Sequence, residues 1–282
     1  MKWVECPRDS WQGFDRFIPT QAKIGYLKKL LGAGFRHLDL TSFVSPKWVP
    51  QHADAEEVLA QLPLPEGREY LVIIANERGL ERALAAPKVT SVGYPFSISE
   101  TFQGKNVNKT IAESWEIVAR MRDAAQGRMH FVVHLSMGFG NPYGDPWSPD
   151  LPVQFVGKLR EMGLGEIALA DTYGVATAET IGETLGAVVK AFGPADMGVH
   201  LHSRLEGTLE KVQAVLDSGV TWLEGALGGI GGCPFAGDDL VGNLASETVL
   251  PYLEKSGLGT GVRLEALPEL AQQAARLKAL YG

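Results

Sequence analysis

With 282 residues, 45% hydrophobic content and a mean hydropathy of -0.01, the chain is long enough to bury one large α/β core. A net charge of −7 and a sequence pI near 5.4 argue against a nucleic-acid surface and leave room only for a local basic pocket around an anionic ligand. No apolar run spans a bilayer, the start Met1-Lys2-Trp3-Val4-Glu5-Cys6 is too short and polar for a signal peptide, and two cysteines, Cys6 and Cys233, make no disulfide framework; a reducing cytoplasm is the expected setting.

In chain order, short apolar runs alternate with amphipathic ones. Trp3 to Cys6 reads as a first strand, and Thr20 opens a helix that runs to Leu31 and stops at Gly32 and Gly34. His37 to Thr41 is the second strand, followed by a helix from Ala55 to Leu62; Glu69 to Ala75 is the third, with a helix from Gly79 to Ala86. Ser91 to Phe96 precedes the helix Ile111 to Ala125, and His130 to Ser136 precedes Val153 to Met162. Glu166 to Ala170 is backed by Ala178 to Phe192, Met197 to His202 by Leu209 to Ser218, and Thr221 to Ala226 by Leu244 to Lys255. Eight strand-helix units predict a parallel sheet, and eight strands close into a (β/α)8 TIM barrel. An open doubly wound sheet is the alternative, but no G-x-G-x-x-G turn follows the first strand. We expect one domain over 1–282, with the barrel over about 1–256 and an extra C-terminal helix in about 262–282, from Glu265 to Tyr281.

The barrel puts a test to the pair His200 and His202, which share one face of the seventh strand. Such a pair suits metal binding or is ordinary strand polarity. Active sites in these barrels lie at the C-terminal strand ends, and polar residues collect there. The first strand leads into Pro7-Arg8-Asp9, the second carries Asp39 and runs to Thr41-Ser42, the fifth ends at Ser136 and the sixth at Asp171-Thr172. The eighth runs into Gly228 to Pro234, a glycine-rich loop holding Cys233, and Asn243 follows. Each has a plain reading: Asp171 and Asn243 as helix N-caps, Asp39 as a paired carboxylate, Cys233 as a small buried apolar residue, the loop as a connector or phosphate cradle. Together, a carboxylate, two imidazoles and an amide oxygen form a mixed N/O set that suits an octahedral Mg²⁺ or Mn²⁺ better than zinc, which favours thiolate ligands.

These residues carry a resemblance. Pro7-Arg8-Asp9 with Gln12, the run Thr41 to Gln51, Ala170-Asp171-Thr172, His200-Leu201-His202, and Gly228 to Pro234 followed by Gly242-Asn243-Leu244 resemble the 3-hydroxy-3-methylglutaryl-CoA lyase family over nearly the whole chain. The family sits in the wider group of metal-dependent barrels that includes isopropylmalate and homocitrate synthases. The resemblance implies a metal held by Asp9, His200, His202 and Asn243, with Arg8, Asp39, Asp171 and Cys233 as catalytic residues. Arg8, Gln12 and Ser42, with Asn106 and Asn108 from a segment similar to the family's acyl-CoA entrance, are the implied contacts of an acyl-CoA thioester. A homodimer is expected from the barrel class and the resemblance.

The implied chemistry is retro-Claisen cleavage: a base removes a tertiary hydroxyl proton, the carbon-carbon bond breaks, Arg8 stabilises the thioester enolate and Cys233 protonates it. Asp39, Asp171 and His200 are all candidates for the base. Some positions depart from the family pattern. Asp39 stands where the family has Glu, Ser10-Trp11 replace Gly-Leu, and Gly13 replaces an acidic residue. Ser203 to Gly207 and Gly237 to Val241 also differ. A bulky Trp11 and an extra Arg204 would suit the acyl group of a different 3-hydroxyacyl-CoA, the alternative substrate. A Claisen-type synthase and a silent CoA-ester-binding barrel are the other two readings.

Overall fold

The computed structural model describes residues 1–232 and 241–282. The chain runs β1 (Lys2–Glu5), α1 (Pro7–Trp11), α2 (Thr20–Gly32), β2 (His37–Ser42), α3 (Ala55–Gln61), β3 (Glu69–Ile73), α4 (Glu77–Ala85) and β4 (Ser91–Ser97). It continues with α5 (Glu100–Val107), α6 (Ile111–Ala125), β5 (His130–Ser136), α7 (Asp150–Glu161), β6 (Ile167–Asp171), α8 (Ala178–Phe192) and β7 (Met197–Leu201). Last come α9 (Thr208–Ser218), β8 (Trp222–Gly225), α10 (Ser246–Lys255) and α11 (Leu267–Tyr281). The strands form a closed barrel in the order β1 to β8, every pair parallel, with β1 returning to β8 through Lys2 opposite Trp222 and Glu5 opposite Gly225. This is the expected (β/α)8 barrel with its extra C-terminal helix.

Local sequence explains the elements. Strands β6 and β7 are buried at every residue, as a sheet covered on both faces requires. Helix α8 buries Ile181, Thr184, Leu185 and Val188, one stripe at helical spacing, and starts at a Thr177–Thr180 capping box. Two helices lie outside the sequence expectation. Pro7-Arg8-Asp9 winds into α1, with Pro7 in its first turn, where a missing N–H costs nothing. Helix α5 buries only Phe102 and Gln103, too little to give an apolar period; Ser99 caps it by accepting from the Phe102 N–H.

The barrel interior is plugged by Val4, Cys6, Leu71, Ile73, Val132, Ala168 and Trp222, a cluster distinct from the larger layer between sheet and helices. The Trp222 ring fits because its neighbour across the β7–β8 ladder is Gly198. A Cβ at Gly198 would sit 2.0 Å from Cε2 of Trp222. Gly198→Ala therefore forces a shift in a filled core, and we expect a loss of about 2–3 kcal/mol, read from urea unfolding. An unchanged midpoint would show that Trp222 has room to move.

Behind the wall, buried Glu5 accepts from the Leu227 N–H (2.7 Å), Ser246 Oγ (2.6 Å) and Trp3 Nε1 (3.1 Å), so one carboxyl ties β1 to both flanks of the loop after β8. Burial pushes its pKa up to about 7 against those donors, with Glu247 nearby adding to the rise. A group raised in the folded state contributes stability that is full below its unfolded value and lost as pH rises through about 7. Glu5→Gln should flatten the urea midpoint between pH 5.5 and 8; a fall parallel to the parent's would remove Glu5 as its cause. Among the described residues, no helix is long and apolar enough to cross a membrane.

Candidate metal centre and active-site cavity

At the C-terminal mouth of the barrel, α1 turns Arg8 and Asp9 inward directly after β1. Asp9 is buried; its Oδ1 accepts from Arg8 Nη1 (3.0 Å) and Gln12 Nε2 (2.7 Å), and its Oδ2 from Asn243 Nδ2 (2.7 Å). Burial works against its charge, yet the Arg8 guanidinium, with His200, His202 and the Asn243 amide, holds the carboxyl well below the usual carboxylate range.

The two histidines arrive from β7 and the bridge that pairs His202 with Asn243. His200 Nδ1 lies 2.9 Å from Glu224 Oε2, and His202 Nδ1 lies 3.1 Å from the Thr172 carbonyl. Both partners are acceptors, so each Nδ1 carries a proton. The two Nε2 atoms face each other at 3.1 Å, a hydrogen-bond distance, so without an ion one of them is protonated; against burial, Glu224 and Asp9 raise the His200 pKa and make that ring the donor. Burial and the adjacent His200 lower the His202 pKa to about 4, which keeps that ring a neutral donor at physiological pH.

Asp9, His200 and His202 each offer a ligand atom, and the three lie within 4.8 Å of one another. Asn243 Nδ2 is spent on Asp9 and on the Ile230 carbonyl (2.9 Å), while its buried Oδ1 has no hydrogen-bond partner among the described residues. An unpartnered carbonyl oxygen beside two convergent imidazole nitrogens and an ionised carboxylate suits a cation that replaces the proton between the rings, so the residues fit a divalent ion. Two nitrogens each about 2.1 Å from one ion at a right angle lie about 3 Å apart, as these do.

Arg8 is the hub of the second layer. Its Nε and Nη2 donate to Asp39 Oδ2 at 2.9 and 2.5 Å, and Nη1 reaches both Asp9 and Gln12 Oε1 (3.0 Å). The β2–β3 register shifts between Asp39 and Thr41, a local irregularity in the strand beside the site. Asp39 is 2% exposed, and its Oδ1 has no partner among the described residues. Burial pushes its carboxyl up, with Arg8 pulling the other way.

A cavity of about 640 Å³ opens above these groups. Arg8, Asp9, Gln12, His200 and His202 line its floor together with Ser42, His134, Ser136 and Thr172, and Trp48, Lys105, Asn106, Asn108 and Lys109 also line it. Asn108 caps α5 in the left-handed region at φ 54°, a conformation asparagine tolerates well. The expected metal set and substrate contacts are thus gathered in one place.

Other expected residues stand elsewhere. The Asp171 carboxylate accepts from the Val175 (2.9 Å) and Ala176 (3.0 Å) N–H groups and is absent from the cavity wall; it ties down the loop after β6 rather than capping α8, whose cap is Thr177. Asn243 caps no helix either, since α10 starts at Ser246 behind Ala245. Trp11, expected to recognise an acyl group, is 3% exposed and packs on Tyr26 with ring centroids 5.8 Å apart, because α1 turns it into the helix layer. Arg204 is exposed and outside the cavity wall. Cys233 and residues 237–240 lie outside the described residues. Sequence reasoning missed Glu224, His134 and His52. Two of these, taken singly, left a signal: His134 stands between Val133 and Leu135, and Glu224 between Leu223 and Gly225. His52 Nε2 lies 3.2 Å from the Arg8 carbonyl, and burial with Arg8 nearby lowers its pKa to about 3.

Residues 1–273 match the HMGL-like family model. The chain is 33% identical over 271 residues to hydroxymethylglutaryl-CoA lyase YngG of Bacillus subtilis, covering 94% of this chain and 89% of that one. It is 38% identical over 273 residues to the mitochondrial hydroxymethylglutaryl-CoA lyase of Macaca fascicularis, covering 95% and 83%. The HMG-CoA lyase of Brucella melitensis superposes with a TM-score of 0.92 at 32% identity, covering 99% of this chain and 98% of its own. An HMG-CoA lyase from Acinetobacter baumannii, solved with coenzyme A and 3-methylmalate, gives 0.92 at 29% identity, covering 99% and 91%. On sequence, fold and the residues at the barrel mouth, the chain belongs to the HMGL-like family.

Proposed function

We propose that the chain is a divalent-metal-dependent carbon-carbon lyase that cleaves 3-hydroxy-3-methylglutaryl-CoA to acetyl-CoA and acetoacetate. The observation that carries this reading is the convergence of Asp9, the facing Nε2 atoms of His200 and His202 and Asn243 Oδ1, which has no partner among the described residues, beneath a cavity that also holds Arg8. Asp9, His200, His202 and Asn243 would hold Mg²⁺ or Mn²⁺, which when bound acts as a Lewis acid toward the substrate's hydroxyl and carboxylate oxygens.

Asp39 takes the hydroxyl proton in this reading. Its Oδ1, which has no partner among the described residues, supports that role, whereas Asp171 is spent on backbone N–H groups and His200 on Glu224. The electron pair of the breaking carbon-carbon bond becomes the enolate of the thioester, and Arg8 donates to its oxygen. Cys233 returns a proton to the enolate carbon. Gln12, Ser42, Asn106 and Asn108 orient the thioester, and Lys105 and Lys109 supply the local basic rim that an anionic CoA ester needs in an acidic protein. A homodimer in a reducing cytoplasm belongs to the same reading; light scattering of the purified protein tests the first part.

Incubation with 3-hydroxy-3-methylglutaryl-CoA and Mg²⁺ or Mn²⁺, with an EDTA control, tests the reaction. Metal-dependent appearance of both products is expected. Intact substrate with one bound metal would redirect the reading to a different 3-hydroxyacyl-CoA, and intact substrate without bound metal would point to a silent barrel.

A further inference from the structure

Glu224 is an expensive residue to place where it stands. It is 2% exposed, inside the barrel on β8, and among the described residues its ion-pair partners are His134 and His200, with no Lys or Arg side chain. Its neighbours in the barrel plug are apolar, and a buried apolar side chain there would fill space without a desolvation cost. Three donors offset the charge: His200 Nδ1 at 2.9 Å, His134 Nε2 at 3.3 Å from both oxygens, and Trp222 Nε1 at 3.1 Å. Two of those donors are imidazoles that line the cavity.

We propose that Glu224 is a positioning residue: its carboxylate fixes His200 as the Nδ1–H tautomer with Nε2 aimed at the ion, and the same carboxylate holds His134 in the cavity floor. The inference rests on the reading of Asp9, His200, His202 and Asn243 as the metal centre. A carboxylate behind a ligating histidine raises its donor strength and restricts its rotation, and losing such a partner typically weakens metal affinity 10- to 100-fold. One acid here serves two rings 6.4 Å apart at nearly right angles, so the metal ligand and part of the substrate surface share one support. Cys6 Sγ also lies within 4.8 Å of ligand atoms on His200 and Glu224, which would make a second, softer ligand set. We set that aside, because the thiol donates to the Val4 carbonyl at 3.6 Å and both His200 Nδ1 and Glu224 are already committed to each other.

The test is Mn²⁺ binding, counted by EPR of free ion, in the full-length protein and in Glu224→Gln. Glutamine keeps the shape but turns an N–H₂ toward at least one of the three donors. The dissociation constant should rise 10- to 100-fold, and in a His200→Ala background the same change should add less than threefold, because the support has nothing left to position. Nitrogen-15 NMR of the unsubstituted, metal-free protein should show His200 protonated on Nδ1; this measurement needs no variant to fold. Affinity in Glu224→Gln within threefold of the parent, or a His200 ring that carries its proton on Nε2 and none on Nδ1, overturns the inference while leaving the metal centre standing. Absence of Mn²⁺ binding in the parent protein overturns both.

Discussion

Replacing Arg8 with alanine should lower kcat on 3-hydroxy-3-methylglutaryl-CoA about 1,000-fold, with a smaller effect on KM. The guanidinium donates to Asp39 twice, to Asp9 and to Gln12, so it both faces the developing enolate and holds two acids in register. The variant should also lose about 3–5 kcal/mol of stability, since two buried carboxylates keep their desolvation cost and lose their cation. Lysine should not rescue the rate: an ammonium is a point charge without the planar fork that spans both acids. Steady-state kinetics of both variants beside urea unfolding separate the effects. A lysine variant at the parent rate would remove Arg8 from the chemistry and leave it a structural cation.

The second large effect is expected from His202→Ala. It deletes one of two convergent Nε2 donors and the hydrogen bond from Nδ1 to the Thr172 carbonyl. Affinity for Mn²⁺ should fall by at least about 100-fold, and turnover should vanish with it. A stability measurement reads this independently of activity. At metal concentrations 100 times its dissociation constant, the parent gains about 2.7 kcal/mol toward urea, and the variant at the same concentration gains only a few tenths. Equal stabilisation of both proteins would move the ion elsewhere.

The barrel was legible because its strands and helices follow different periods, and the run of eight alternations has one natural closure. The proposed ligands were legible too, since Asp9, His200, His202 and Asn243 are polar residues at or just after the ends of the first, seventh and eighth strands, where a barrel has its mouth. What stayed hidden depends on rotation about single elements. Trp11 reads from sequence as an acyl contact, yet the helical turn begun at Pro7 carries it to the opposite side from Asp9 and onto Tyr26. Asp171 reads as a candidate base, yet the six-residue loop after β6 folds its own N–H groups over both oxygens. Glu224 and His134 are 90 residues apart and meet only because the barrel is filled from all sides, so no local pattern announces the pair.

Asp9 and Asn243, joined by one 2.7 Å hydrogen bond, are 234 positions apart, and the strand that precedes Asp9 pairs with β8. During synthesis, the first strand therefore waits for almost the entire chain before its second neighbour exists. Contacts of such separation slow folding, and the unpaired edges of β1 and β8 are the exposed surfaces of any intermediate that stalls short of closure. Because the proposed ligands come from both ends of the chain, an ion would find no complete site on such an intermediate, and metal uptake by a refolding population would mark the moment the ring closes.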